Sequence, residues 1–228
     1  MIHSHRHDGN MGLHIGDDPA QVINNRTSFL AKHGLLLEQL VIANQLHGDR
    51  IALVGADDRG KGSDDHATAI ADTDALITQT PGVALGILTA DCVPILLYDP
   101  IHQAIGAIHA GWRGTALQIT TKTIHAMQHH FGSIPSHLHA FIGPAIGPCC
   151  YEVGAETASA CGCHGASHLD LKELNRQQLL AAGVADEAIT VSNLCTSCRN
   201  DILFSHRADG GKSGRLLSVI AMRPSCVK

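Results

Sequence analysis

The sequence predicts a single α/β domain, and three observations carry that reading. Nine short apolar runs are punctuated by Gly, Pro and Asp, as strands and their turns are. Three stretches with helical start and stop signals are interleaved with them. No internal repeat and no linker divides the 228 residues, a length ample for one buried core.

In chain order, Asp17-Asp18-Pro19 opens the first helix, because Asp caps a helix start and Pro suits the first helical position. The helix is expected to run to about Lys32. Val22, Arg26, Phe29 and Leu30 recur near the helical period, and Gly34 supplies the stop. Six runs then read as strands: Gln39–Gln45, Arg50–Val54, Ala75–Thr78, Val83–Ala90, Val93–Tyr98 and Ala104–His109. Between the second and third lies DDRGKGSDDHATAIA (57–71), polar and Gly-rich, which is expected to be a mobile loop. One long helix is predicted from Gly114 to Phe131, with Ala116, Ile119, Thr123 and Met127 as its buried stripe and Gly132 as its end. A strand at Leu138–Ile142 leads into Gly-Pro-Ala-Ile-Gly-Pro, which cannot be regular helix. Asp170 caps a helix that continues to Ala182 and stops at Gly183; strands at Ala188–Ser192 and Arg215–Ala221 close the domain. Residues 1–12 are expected to be a mobile tail, in which His3, His5 and His7 alternate, with the folded domain over 13–228.

Composition limits the function classes. Seventeen His outnumber sixteen Lys and Arg, and the aromatic residues are four Phe, two Tyr and one Trp. A net charge of -5 and a pI near 6.4 oppose a polyanionic nucleic-acid partner. Few aromatics also leave no stacking platform for single strands. The most apolar stretch, from Val83 to Tyr98, is interrupted by Asp91 and Pro94 and is too short to span a bilayer. The first ten residues have no apolar signal region, so a cytoplasmic protein with reduced thiols is expected, and each of the eight Cys becomes a candidate for metal binding or catalysis.

Chemistry concentrates in NQLHG around His47, TADCVP around Cys92, HAGWRG from His109, IGPAIGPCCYEVG from Ile142 and CTSCRNDILFSHR from Cys195. The first three each put one His or Cys at a predicted strand end, the usual way to assemble a site from distant sequence. His47, Cys92 and His109 together offer two imidazoles and a thiolate, a donor set that suits zinc with one position left open. Asp91, inside a very apolar run, needs a partner, and Arg113 is the candidate; an Asp–Arg pair that merely ties two loops is the alternative.

These motifs, in this order, resemble the YfiH family, also described as laccase-domain or polyphenol-oxidase proteins and as purine nucleoside phosphorylases. The likeness runs from LHIGDDP at Leu13, with Asn24-Asn25-Arg26 following, to the chain end. It implies one α/β domain with mixed sheets flanked by helices and a single metal ion, usually zinc, held by His47, Cys92 and His109. It also implies phosphorolysis of adenosine, inosine, guanosine or methylthioadenosine, with deamination of adenosine. Older descriptions are of copper-dependent phenol oxidation, and some members are called peptidoglycan editing factors. Because FSHR belongs to the resemblance, Phe204, Ser205 and His206 are expected along the pocket. The sequence departs from the family at its start, where the usual Gly-Gly-Val-Ser-like turn is missing.

Phosphorolysis needs cations for phosphate, and Arg26 and Arg113 are the candidates, since a guanidinium binds two oxygens at once. A solvated helix face is the plain alternative for Arg26. The substrates expected are thus a purine nucleoside and phosphate; the residues leave the oligomeric state open. Cytidine-deaminase chemistry would want a His-x-Glu that is lacking here. Copper-dependent oxidation is a lesser reading, because multicopper sets need many paired His. Two others stay open: a metal-free hydrolase with Cys92 as nucleophile and His109 as base, and a structural zinc held among Cys149, Cys150, Cys161, Cys163, Cys195 and Cys198.

Overall fold

The computed structural model describes residues 1–222, so the last six residues of the expected 13–228 domain lie outside the described ones. The chain runs β1 (Ile2–His3), α1 (Pro19–Ala31), β2 (Leu40–Ile42), β3 (Ile51–Leu53), β4 (Ala75–Thr78), β5 (Ala84–Thr89), β6 (Val93–Asp99) and β7 (Ala104–Ala110). It continues with α2 (Trp112–Ala116), α3 (Ile119–Phe131), β8 (His139–Ile142), α4 (Ala155–Ala160), α5 (Leu171–Ala181), β9 (Ile189–Val191) and β10 (Leu216–Ala221).

Two mixed sheets result. One has the order β1-β10-β5-β2 and the other β3-β4-β7-β6-β8-β9. Their strands read as nearly continuous apolar runs because both faces are buried. On β5, Leu85 and Ile87 face the other sheet, where Leu76, Leu96, Ile105 and Ala107 meet them. The opposite face of β5 presents Ala84 and Leu88 to Phe29 and Leu30 of α1. On β6 the odd positions Val93, Ile95 and Leu97 pack under α3 and α5, against Ile124, Met127 and Leu179. The order through the molecule is therefore helix, sheet, sheet, helices, matching the mixed-sheet α/β domain expected from the sequence.

Local signals place most elements where the sequence put them. The Asp18 side chain accepts the Ala20 N–H at 3.1 Å with Pro19 at the first helical position. Asp170 accepts from Glu173 N at 3.1 Å. Four expectations need correction. Residues 1–12 are not a loose tail: Ile2 and His3 pair with Val219 and Ser218, and Ser4 and Met11 are buried. The loop at 57–71 is fastened rather than free, with Ile42 N donating to Lys61 O, Gly60 N to Leu40 O and Ile70 N to Ile42 O. The long helix is broken into α2 and α3 at Gln118, whose φ of 64° is left-handed.

The fourth correction concerns Arg26. It is 1% exposed, on the buried side of α1, where its guanidinium donates to Met11 O, Gly62 O and Ser63 O at 2.6–2.8 Å. It therefore sits in a carbonyl cage that joins the N-terminal segment and the 57–71 loop to α1. Burial lowers its pKa to about 10, which still leaves it charged at neutral pH. Replacing it by Met strands three buried acceptors, each costing about 1–3 kcal/mol. Urea denaturation of Arg26→Met should therefore show a loss of at least about 3 kcal/mol; an unchanged midpoint would contradict the cage.

Candidate metal centre and its cavity

The two passages between sheets create the site. The chain leaves β2 in one sheet and enters β3 in the other through His47; it leaves β5 and enters β6 through Asp91 and Cys92. His109 joins them near the end of β7, paired across from Pro94 of β6. One donor atom from each of His47, Cys92 and His109 lies within 4.8 Å of the others, and the two imidazoles meet edge-to-face at 4.7 Å. The three sequence-predicted ligands are thus brought together.

A residue that the motif reading overlooked organises them. Asp74, 1% exposed just before β4, accepts His109 Nδ1 at 2.7 Å. The same carboxylate accepts the backbone N–H groups of Leu46, His47 and Gly48 at 3.2, 2.9 and 2.7 Å. Its own carbonyl accepts His109 N at 2.7 Å. With Nδ1–H committed to a carboxylate, Nε2 of His109 is the nitrogen left for an ion. Asp74 also holds His47 in a left-handed conformation (φ 62°), unusual for a residue with a side chain.

Asp91, with φ 87°, is a second left-handed residue beside the first. It does not pair with Arg113. Instead it accepts Thr196 Oγ1 at 2.5 Å and Arg207 N at 2.7 Å, tying the β5–β6 turn to the 196–207 segment. Glycine explains the rest of HAGWRG: a Cβ at Gly111 would lie 3.0 Å from His47 Cδ2 and 3.1 Å from Cys92 Sγ. One at Gly114 would lie 2.9 Å from Gly48 O.

Burial alone would push the Cys92 thiol up. Coulombic attraction and hydrogen bonding from His109, then from His47, prevail and bring its pKa down to about 6. His109 moves oppositely: burial would lower it, but Cys92 and Asp74 raise it to about 9. Asp74 would also rise on burial, yet its bonds from His109 and from the backbone amides of Gly48 and His47 hold it below the usual range. Without an ion, the site is a thiolate–imidazolium pair buttressed by a carboxylate.

The donors lie at the foot of a cavity of about 410 Å³, in the size range of small-molecule sites. Arg113, Arg207, Arg215 and His206 line it, with Trp112 and Tyr151 as aromatic walls. Arg113 lies over the Trp112 ring at 4.4 Å, and Arg207 sits above Tyr151 at 5.6 Å while bonding Cys150 O and Glu152 O. Burial, with Cys92 and Asp91 added, raises the Tyr151 pKa to about 12, so it stays a neutral donor. Phe204 does not reach the cavity; it packs under Arg6 at 4.6 Å and against Gly214. Arg26 is likewise absent from the wall, while His14, His66, Arg207 and Arg215 join it without having been singled out in the sequence.

The site is thus a His–Cys–His set that could hold a metal ion, at the foot of a cavity in a helix–sheet–sheet–helix α/β domain. The chain belongs to the multi-copper polyphenol oxidoreductase laccase family, whose pattern matches residues 3–223, the family in which YfiH proteins fall. It is 43% identical to the purine nucleoside phosphorylase YlmD of Geobacillus stearothermophilus, over 94% of this chain and 83% of that protein. It is 33% identical to adenosine deaminase RL5 from an unknown prokaryote, over 92% of this chain and 86% of that one. The crystal structure of Bacillus licheniformis YfiH superposes with a TM-score of 0.90 at 40% identity, over 94% of this chain and 85% of that one.

Two expectations follow from this geometry. Asp74→Asn removes the charge that orients His109 and is expected to weaken zinc affinity about 10–100-fold; chelator competition measures it, and unaltered affinity would speak against the buttress. In metal-free protein the Cys92 thiolate should protonate as pH falls through about 6, and His109 should lose its proton as pH rises through about 9. Ultraviolet thiolate absorption, with Cys92→Ala as the blank, should show that first step far below ordinary thiol titration.

Proposed function

We propose that the protein is a metal-dependent purine nucleoside phosphorylase. The observation that carries this reading is the cavity's charge: three arginines line it, against one carboxylate, Asp91, that is already engaged. Phosphorolysis brings an anion into the site, whereas hydrolytic deamination does not. Relatives named purine nucleoside phosphorylase, YlmD among them, favour the same reading, and RL5 is named for the other.

His47, Cys92 and His109 would hold the ion. Two nitrogens and a thiolate fit zinc, with copper as the other candidate. A divalent ion held there would supply a fixed positive charge to the site. Arg113, preorganised by its stacking on Trp112, and Arg215 grip phosphate so that one oxygen faces C1′ of the ribose. Attack at C1′ breaks the bond to purine N9, whose electron pair stays on the base. Trp112 and Tyr151 flank the base, the neutral Tyr151 phenol donates a hydrogen bond to it, and His206 passes the proton it takes up. Arg26, locked in its cage, has no part, and Phe204 acts only through the packing beneath the wall. The free thiols suit a cytoplasmic setting.

Adenosine incubated with the zinc-loaded protein and phosphate should yield adenine and ribose 1-phosphate, and chromatography will separate these from inosine. Inosine formed independently of phosphate would instead favour deamination, the activity named for the RL5 relative. Arg113→Ala removes a charge-assisted bond of about 1.5–3 kcal/mol and should raise the phosphate KM by roughly 10–100-fold. A KM unchanged in that variant would remove Arg113 from the phosphate site. The thiolate–imidazolium pair also supports a Cys-dependent hydrolase. That second reading requires Cys92 to be alkylated by iodoacetamide in the metal-loaded protein, where a liganded thiolate should be shielded.

A further inference from the structure

Four other cysteines converge on the outer side of the cavity wall. Cys149 and Cys150 come from the turn after Ile146, and Cys195 and Cys198 from the segment before Arg199. All four sulfurs lie within 4.8 Å of one another, and Cys198 Sγ is 3.4 Å from both Cys149 Sγ and Cys150 Sγ. We infer that these four thiols form a second metal site, a closed tetrathiolate that holds one zinc ion and staples the two segments of the cavity wall together.

Three features support this. Zn–S bonds of about 2.3 Å put the sulfurs of a tetrahedron roughly 3.8 Å apart, within the spread observed, whereas clusters of two or four irons need their thiolates spread wider. Backbone amides already face the buried sulfur: Gly147 N donates to Cys195 Sγ at 3.2 Å, as outer bonds do around a liganded thiolate. The chain is also bent to bring adjacent cysteines to one side, with Cys150 N and Tyr151 N both donating to Gly147 O at 3.0 Å.

The staple would bear on the cavity. Thr196, between the two downstream cysteines, bonds Asp91, and Arg207 bonds the carbonyl of Cys150. The two segments also pair directly, Thr196 N donating to Ala145 O at 3.1 Å. The ion would thus fix the wall that carries Ile146, Tyr151 and Arg207. This site is separate from the His47–Cys92–His109 centre and does not depend on the proposed reaction.

The test uses the Cys92→Ala protein, which lacks the thiol of the first centre and keeps all four of the second. Grown with zinc and purified under reductant, it should retain about one zinc per chain by elemental analysis. Iodoacetamide followed by peptide mass spectrometry should then find Cys149, Cys150, Cys195 and Cys198 protected until a chelator is added, and Cys161 and Cys163 alkylated throughout. Cobalt in place of zinc should give the intense visible bands of a tetrahedral thiolate site, and these should vanish in a Cys92→Ala protein that also carries Cys195→Ser and Cys198→Ser. Zinc-free Cys92→Ala protein, equal alkylation of all its cysteines, or a disulfide among the four under reductant would each overturn the inference. Because the decisive measurements are made with the four cysteines intact, they hold even if the serine variant does not fold.

Discussion

One buried carboxylate, Asp74, sets the terms for the rest of the structure. It is committed on every side: three consecutive amides of the 46–48 turn, the His109 ring, and through its own backbone the strand pairing of β4 with β7. A buried charge of this kind is tolerable only when its lone pairs are filled, and here the filling groups are the segments that carry two of the three metal donors. The position of His47 and the tautomer of His109 are therefore consequences of a single desolvated anion. The strain of a left-handed His47 is absorbed by the same bonds.

The family description speaks of several coppers, and the donor geometry speaks of one ion per His–Cys–His set. Among the described residues, His47, Cys92 and His109 make the one donor group that combines imidazole with thiolate, and the other donor group is all sulfur. That division separates two physical tasks. Two imidazoles and one thiolate leave a coordination position open towards a cavity, which suits chemistry; four thiolates close the sphere, which suits architecture. The cavity above the open set is lined by three arginines and by the rings of Trp112 and Tyr151.

Much of this was legible in the sequence because the strands are buried on both faces and their ends are marked by Gly, Pro and Asp. The cap residues Asp18 and Asp170 act as their positions suggest. What escaped notice depends on contacts distant in sequence. The helical period already set Arg26 beside Val22, Phe29 and Leu30, but no local pattern tells that it will find carbonyls 36 and 37 residues away at Gly62 and Ser63, and its guanidinium suggested a phosphate instead. Gln118 breaks a helix without a Gly or Pro to announce it. Asp74 did carry a signal: a carboxylate at the head of the apolar ALIT strand poses the same desolvation problem that drew attention to Asp91. The partner expected for Asp91 was wrong because Arg113 has the Trp112 ring to lie on, while Thr196 and the Arg207 amide reach the carboxylate from over a hundred residues away.

The lengths of the strands have a meaning for solubility. The inner strands have four to seven residues each, whereas β1, β2, β3 and β9, at the margins of the two sheets, have two or three. Long apolar ribbons with free amides are templates on which neighbouring molecules add strands, and short margins deny them that purchase. The margin of β2 is further covered by the 57–71 loop. The LLSVIA edge of β10 is covered by Ile2 and His3, with Ser4 N donating to Leu217 O and Met11 N to Arg215 O beside them. The segment from Ile2 to Met11 thus occupies an edge on which another strand could otherwise add.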